Sequence, residues 1–267
     1  MATKLFESLI VGPIYSRRLG SSLGINLLPE RGKICSFDCI YCECGWNKER
    51  KNDTKLPTSA EVERALEKRA KEIVKEGIKV DSITFSGNGE PTIHPEFAKI
   101  IDITLRIRDC YMKAAKVSVL SNASMIWKDD IREALMKIDN PILKIDSTIE
   151  DYMLCINRPA ESYSLSRTIE NLKKFEGNFI LQTMFLRGKA EHPVTKEIIE
   201  IDCTNSAHVQ KWRELVKELK PRQIMIYSLD RDTPSDQISK VTPQEMAQIA
   251  QPLVELGFKV KVNGEDL

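Results

Sequence analysis

The chain has 267 residues, 42% of them hydrophobic, which is enough apolar material for a sizeable core. Its 40 Lys and Arg nearly cancel its 39 Asp and Glu, and this balance excludes a global electrostatic attraction to nucleic acid or to an anionic membrane. No apolar run approaches a membrane span, and the first residues lack the hydrophobic region of a signal peptide. Seven cysteines in such a chain predict a reducing, cytoplasmic location.

Strand and helix patterns alternate along the chain. A first apolar strand is predicted at 22–28 and leads directly into a cysteine-rich loop. Further strands are predicted at 80–86, 116–121, 142–147, 179–186 and 223–229, with a short one at 258–262. Helices are predicted between them at 58–77, 95–109, 128–138, 165–177, 208–219 and 242–257. Six strands that alternate with helices predict parallel β/α units with right-handed crossovers.

Two of the predicted helices begin with a capping box, a Ser or Thr followed three residues later by Glu or Gln. These are Thr58 with Glu61 and Thr242 with Glu245. Pro252 lies inside the last predicted helix, where a missing backbone N–H predicts a kink.

The segment Cys35-Ser-Phe-Asp-Cys39-Ile-Tyr-Cys42 places three cysteines in C-x3-C-x2-C spacing. They are too close together for sensible disulfide pairing and one ligand short of a closed tetrahedral metal site. A [4Fe-4S] cluster held by three thiolates keeps one iron open for a small molecule. The alternative is a zinc site that adds Cys44, although the Cys42–Cys44 spacing is tighter than a usual second ligand pair.

This loop, with Tyr41 just before the last cysteine, resembles the signature of the radical S-adenosylmethionine (SAM) superfamily. The resemblance implies that Cys35, Cys39 and Cys42 hold a [4Fe-4S] cluster and that SAM binds its open iron. Reductive cleavage of SAM then gives a 5'-deoxyadenosyl radical that abstracts hydrogen from a substrate. The implied fold is α/β, a partial (β/α)6 barrel of parallel strands with outer helices. We expect one domain over residues 1–267, with the cluster loop at 30–46 and a C-terminal helix and short strand at 242–264.

Polar residues follow the predicted strands, at the edge where α/β folds place their sites. The segment Ser86-Gly87-Asn88-Gly89-Glu90-Pro91-Thr92 resembles the superfamily's Gly-Gly-Glu-Pro motif, whose acidic residue receives the ammonium of SAM. Turn and helix-cap chemistry is the alternative explanation for such residues. The resemblance predicts the following cofactor-binding residues: Tyr41, Gly87, Asn88, Gly89, Glu90, Ser121, Asn122, Asp146 and Tyr227.

The opening of the chain places Arg17 and Arg18 between glycines, where they could clamp a phosphate or carboxylate. With the glycine-rich motif, it resembles the branch related to the tRNA wybutosine-synthesis radical SAM enzyme. No cysteine precedes Cys35, however, so the second cluster of that enzyme is not expected. Arg17, Arg18, Asn157 and Arg158 are weaker candidates for substrate binding.

The substrate class stays open at the level of sequence. An RNA base, a peptide and a small molecule all fit radical SAM chemistry, and the near-neutral charge disfavours an RNA enzyme that relies on a broad basic face. A glycyl-radical-enzyme activase is the rival enzyme, and a non-catalytic, zinc-stapled binding protein is the rival of another class. We expect an electron donor such as flavodoxin or ferredoxin and no membrane partner. No general base can be named from the sequence.

Overall fold

The computed structural model describes residues 5–50 and 54–267, which form two compact units. The first unit contains residues 5–36 and the described part of 47–142. The second unit contains residues 37–46 and 143–267. The cysteine loop is therefore divided, with Cys35 in the first unit and Cys39 and Cys42 in the second. The single domain expected from the sequence stays a prediction.

The first unit is built from four strands and three helices. They are β1 (Ile10–Ser16), β2 (Gly20–Ile25), α1 (Ser59–Glu76), β3 (Ser82–Phe85), α2 (Phe97–Tyr111), β4 (Lys116–Ser121) and α3 (Asp129–Lys137). Short 3-10 turns lie at Asn47–Arg50 and Pro91–Ile93. β5 (Asn140–Lys144) crosses the boundary, with residues 140–142 in the first unit and 143–144 in the second. β1 pairs antiparallel with β2, whereas β2, β3 and β4 are parallel neighbours.

Helix α1 shows how the sequence dictates these elements. Thr58 and Glu61 form the predicted capping box, in which each side chain accepts a hydrogen bond from the other residue's backbone N–H. Val62, Leu66 and Ile73 recur at helical spacing and are buried, and burial of each such side chain stabilises the fold by roughly 1.5–3 kcal/mol. Gly77 ends the helix in the left-handed conformation, where glycine is least strained.

The second unit contains the remaining elements. They are α4 (Glu150–Asn157), α5 (Leu165–Lys173), β6 (Ile180–Met184), β7 (Leu186–Glu191), β8 (Ile198–Asp202), α6 (Ser206–Leu219), β9 (Gln223–Tyr227), β10 (Ile238–Lys240), α7 (Pro243–Glu255), β11 (Val260–Val262) and β12 (Glu265–Asp266). β6, β9 and β11 are parallel neighbours, and β12 closes on β11 as an antiparallel strand. β10, β7 and β8 form a separate antiparallel sheet.

Several elements differ from the sequence prediction. β1, α4 and the antiparallel sheet of β7, β8 and β10 were not expected, because their residues carry no strong apolar periodicity. Helix α7, in contrast, continues across Pro252 as the sequence predicts, and Arg213 donates two hydrogen bonds, of 3.1 and 2.7 Å, to the Ile249 carbonyl in the turn before it. The kink at Pro252 stays a prediction. Among the described residues, no helix is long and apolar enough to cross a membrane.

Candidate functional site

The loop after β3 is held against the segment that precedes Cys35. Ile34 N–H donates to the Asn88 carbonyl over 3.1 Å, and Glu90 N–H donates to the Ile34 carbonyl over 3.0 Å. Gly89 makes this approach possible, because a Cβ built on it would lie 1.9 Å from the Ile34 carbonyl oxygen. Its φ of +136° is also a conformation that other residues avoid. Gly87 is similarly close to Asn26, so both predicted glycines are required by local packing.

Glu90 is a buried carboxylate that accepts hydrogen bonds from four donors. Thr92 donates its N–H and its hydroxyl to Oε1, over 3.1 and 2.5 Å, and Asn122 N–H donates to Oε2 over 2.7 Å. The Ser121 side chain supplies the fourth. Burial raises the pKa of Glu90, and no Lys, Arg or His in the described part of the chain forms an ion pair with it. A carboxylate has about four lone-pair sites, which match these four donors. Because Thr92 lies in the loop and Ser121 and Asn122 lie at the end of β4, Glu90 fixes the loop to that strand.

The Asn88 side chain binds backbone groups of two other segments of the first unit. It is fully buried, and its Nδ2 donates to the Pro29 and Phe6 carbonyls over 2.7 and 2.9 Å. Its Oδ1 accepts from Phe6 N–H over 2.8 Å. Both amide hydrogens of Asn88 are therefore used within the first unit, so its side chain offers no further N–H donor.

Asn122, which follows β4, contacts the cysteine loop. Its Nδ2 lies 3.6 Å from Cys35 Sγ and 3.0 Å from Ser36 Oγ. Its Oδ1 accepts from Ser124 N–H over 3.0 Å, so both ends of the amide are held. The first unit therefore joins Cys35 to the end of β4, and Ser121 and Glu90 support the same point.

Arg17 and Arg18 lie in the turn between β1 and β2, where the Arg18 N–H donates to Ser16 Oγ. β2 is parallel to β3, and its N-terminal end pairs Ser22 with Ser82. The arginine turn is therefore at the opposite end of the strands from the loop that carries Glu90. The six residues of β2 separate the two ends by roughly 20 Å. The first unit therefore places Arg17 and Arg18 far from the loop of Glu90, and their role in substrate binding stays a prediction.

The second unit contains a buried polar network around Asp146, which follows β5. Asp146 Oδ2 accepts from the Tyr41 hydroxyl and from Asn157 Nδ2, the latter over 2.6 Å. Its Oδ1 accepts from Met184 N–H over 2.8 Å. Asn157 Nδ2 also lies 3.2 Å from the Tyr41 hydroxyl and 3.5 Å from Cys39 Sγ. Two residues predicted for SAM, one predicted for substrate and one cluster cysteine thus meet in one network.

Lys144 belongs to the same network and was not predicted. Its Nζ donates to the Tyr41 hydroxyl over 3.1 Å and lies 4.7 and 5.1 Å from the ring centroids of Tyr41 and Tyr227. Burial lowers the pKa of Lys144, but nearby Tyr227, Asp146 and Cys39 outweigh this effect and raise the pKa above its usual range. The sequence did contain a signal for Lys144. This residue ends an apolar strand and lies two residues before Asp146.

Cys39 has an unusual electrostatic environment. Burial raises its pKa to about 11, and the Lys144 charge opposes this shift only in part. The thiol is therefore protonated at neutral pH unless a cation binds it, and a coordinating metal deprotonates a thiol outright. The donor set fits an iron–sulfur cluster in this respect, because buried thiolates need both a metal and hydrogen-bond donors.

A small cavity of about 10 Å³, with room for roughly one water molecule, adjoins this network and is lined by Lys144, Asp146 and Asn157 among others. Arg158, the residue after Asn157, stacks on the Trp46 ring with 4.8 Å between the guanidinium carbon and the ring centroid. The Arg158 Nε atom is buried without a hydrogen-bond partner. A guanidinium held on an indole in this way can receive an anionic group.

None of the cysteines forms a disulfide. Cys110 is exposed, whereas Cys155 and Cys203 are buried. In the part of the chain that the structure describes, no three His, Cys, Asp or Glu side chains are grouped as ligands of one metal ion. The cysteines of an iron–sulfur cube each bind a different iron, so they do not converge on one point as zinc ligands do.

Comparison with known proteins decides the family. The family model described as the radical SAM superfamily matches residues 30–196, which include the three cysteines and the loop of Glu90. The chain belongs to the radical SAM superfamily. It is therefore an enzyme whose chemistry depends on SAM and on a reductant, and the superfamily typically carries a [4Fe-4S] cluster. This finding favours the catalytic interpretation over a zinc-stapled binding protein.

Two curated relatives are similar over most of this radical SAM chain. The UPF0026 protein MJ1312 of Methanocaldococcus jannaschii is 30% identical over 254 residues, which are 93% of this chain and 68% of the relative. The UPF0026 protein slr1464 of Synechocystis sp. is 28% identical over 258 residues, with 91% of each protein covered.

Solved structures of radical SAM enzymes share the fold. Streptococcus suis SuiB bound to the precursor peptide SuiA has a TM-score of 0.60 at 15% identity, over 87% of this chain and 46% of SuiB. Archaeal TYW1 has a TM-score of 0.51 at 13% identity, over 88% of this chain and 71% of TYW1. The chain spans about half the length of SuiB. The likeness confirms the α/β fold class of partial-barrel type that the sequence resemblance implied.

Proposed function

We propose that the chain is a radical SAM enzyme that binds a [4Fe-4S] cluster through Cys35, Cys39 and Cys42. When bound, the cluster supplies the electron that cleaves SAM to methionine and a 5'-deoxyadenosyl radical, which abstracts hydrogen from the substrate. The observation that carries the proposal is the environment of Cys39. This thiol is half-buried, and the Asn157 side-chain nitrogen lies 3.5 Å from its sulfur. An N–H donor beside the sulfur suits a metal-bound thiolate, and the C-x3-C-x2-C spacing supplies three such ligands.

The residues around Glu90 support binding of the methionyl part of SAM. Glu90 is a buried negative charge, and the ammonium of SAM is a cation. Four donors from the chain already occupy its oxygens, so we propose that Glu90 acts mainly by fixing the shape of the loop. We propose the backbone carbonyls of this loop as further acceptors for the ammonium, although those of Gly87 and Asn88 already accept from Gly89 N–H and Ile34 N–H. Direct contact between Glu90 and the ammonium stays a prediction.

The second unit offers groups for the rest of SAM. Lys144 is a cation that suits the methionyl carboxylate, and Tyr227 presents an aromatic ring beside it. Asp146 accepts three hydrogen bonds within the protein, from Tyr41, Asn157 and the Met184 N–H. We therefore propose that Asp146 orients Tyr41 and Asn157 rather than binding a ribose hydroxyl as the sequence predicted.

The substrate remains an RNA base, a peptide or a small molecule. Arg158 on the Trp46 ring is the group we propose for an anionic part of that substrate. The cytoplasmic location and an electron donor such as flavodoxin or ferredoxin remain predictions.

The proposal is tested anaerobically with the whole chain. The protein is reconstituted with iron and sulfide, reduced with dithionite and given SAM, and 5'-deoxyadenosine is quantified. We expect Cys39→Ala to lose bound iron and 5'-deoxyadenosine, and the matched Cys44→Ala variant to keep both. Bound zinc without 5'-deoxyadenosine in the unmodified chain would overturn the proposal.

A further inference from the structure

Two asparagine side chains approach the sulfurs of two cluster cysteines. Asn122 Nδ2 lies 3.6 Å from Cys35 Sγ in the first unit, and Asn157 Nδ2 lies 3.5 Å from Cys39 Sγ in the second. The sequence placed Asn122 on SAM and Asn157 on the substrate. In the structure both side chains contact the cysteine loop and its neighbours, and the roles towards SAM and substrate stay predictions.

One amide hydrogen of the Asn122 side chain is directed at the sulfur of Cys35. An amide nitrogen carries two hydrogens, and Nδ2 directs them at Ser36 Oγ, 3.0 Å away, and at Cys35 Sγ. The Oδ1 atom is fixed by Ser124 N–H, so the amide cannot turn over without losing a hydrogen bond. The donor is therefore aligned before any cluster binds.

Asn157 is more deeply placed, with 3% of its surface exposed. Asp146 takes one of its amide hydrogens over 2.6 Å. Two acceptors, the Tyr41 hydroxyl at 3.2 Å and Cys39 Sγ, compete for the other. Lys144 already donates to the Tyr41 oxygen, and an iron-bound thiolate carries more negative charge than a phenol. The second hydrogen therefore belongs to Cys39 once the cluster is bound.

We propose that Asn122 and Asn157 are positioning residues that set the reduction potential of the cluster. This inference rests on the proposed function, because it needs a cluster on Cys35 and Cys39. An N–H donor to a ligating sulfur stabilises the reduced, more negative cluster more than the oxidised one, and hydrogen bonds to sulfur are among the factors that set cluster potentials. The two amides together make the cluster easier to reduce.

The test is an EPR-monitored redox titration of the reconstituted chain without SAM, with iron and sulfide content measured on the same samples. Asn122→Leu and Asn157→Leu remove the donors. In each variant the ratio of reduced to oxidised cluster at a given potential should be about one-tenth of that in the unmodified chain, which is a midpoint about 59 mV lower for a one-electron couple. The double variant should show both shifts.

Two matched variants control for the other bonds of the same amides. Ser36→Ala removes the second acceptor of Asn122, and Tyr41→Phe removes the competing acceptor of Asn157, while both N–H···S contacts remain. We expect Ser36→Ala to keep the midpoint of the unmodified chain and Tyr41→Phe not to lower it, because the second hydrogen of Asn157 then has only Cys39 Sγ as its acceptor. Leucine variants that load a cluster and keep the same midpoint would overturn the inference.

A second measurement uses the unmodified chain and does not depend on how the variants fold. Pulsed EPR of the reduced cluster with ¹⁵N-labelled asparagine should show a ¹⁵N hyperfine coupling, because a nitrogen that donates to a ligating sulfur shares its spin density. Absence of that coupling in a loaded, reduced cluster would refute the inference. Failure of the unmodified chain to bind any cluster would instead refute the proposed function.

Discussion

Gly89→Ala tests the argument that the loop after β3 positions the segment before Cys35. The added Cβ would lie 1.9 Å from the Ile34 carbonyl oxygen, and the φ of +136° is strained for alanine. Such strain costs of order 1–3 kcal/mol. Displacing Ile34 also loses the hydrogen bonds of 3.1 and 3.0 Å to Asn88 and Glu90, at about 1 kcal/mol each. We expect a loss of about 3–5 kcal/mol in the free energy of unfolding.

The assay is urea denaturation followed by circular dichroism, with Gly77→Ala as the matched control. Gly77 also has a positive φ, +66°, but a Cβ there would meet nothing within 4 Å. Its replacement should cost only the left-handed backbone strain, about 1–2 kcal/mol. If the two variants lose equal stability, contact with Ile34 is not what requires glycine at position 89.

Three further predictions concern single buried groups. Lys144→Met removes the cation from the Tyr41 and Asp146 network and should lower the free energy of unfolding by about 2 kcal/mol in urea denaturation, whereas the exposed Lys113→Met should change it little. Asn88→Ala removes three hydrogen bonds to backbone groups and should cost about 3 kcal/mol, measured in the same way; a loss below 1 kcal/mol would contradict that accounting. Burial lowers the pKa of His208 from 6.5 to about 4. As pH falls from about 6.5 towards 4, His208 is protonated in the unfolded chain but not in the folded one, so the free energy of unfolding decreases. The loss is about 3 kcal/mol, and a His208→Phe variant with the same pH dependence of unfolding as the unmodified chain would refute it.

Sequence patterns predicted the elements that bury an apolar face. β4 has the predicted bounds, and α1 begins and ends within one residue of them, because apolar spacing and caps act locally. The antiparallel strands β7 and β8 were missed. Most residues of these two strands are exposed or half-buried. The strands therefore depend on pairing with each other rather than on an apolar face that packs on the core.

The site was predicted in part for a similar reason. Cysteine spacing and polar strand ends identified the cluster loop, Glu90 and Asp146, since these signals lie within short segments. The contacts of Asn122 with Cys35 and of Asn157 with Cys39 join residues 87 and 118 positions apart. No local pattern encodes such pairs, so the sequence could not predict that these two asparagines contact the cysteines.

The four hydrogen bonds to Glu90 limit what can replace it. Glutamine has the same shape, but its terminal nitrogen carries two hydrogens and accepts none. In one orientation that nitrogen would face the N–H of Thr92, and in the other the N–H of Asn122. A hydroxyl can rotate away from such a clash, whereas a backbone N–H cannot. Glutamine would therefore lose one of these two backbone hydrogen bonds in either orientation, so the surrounding backbone itself selects a carboxylate at position 90.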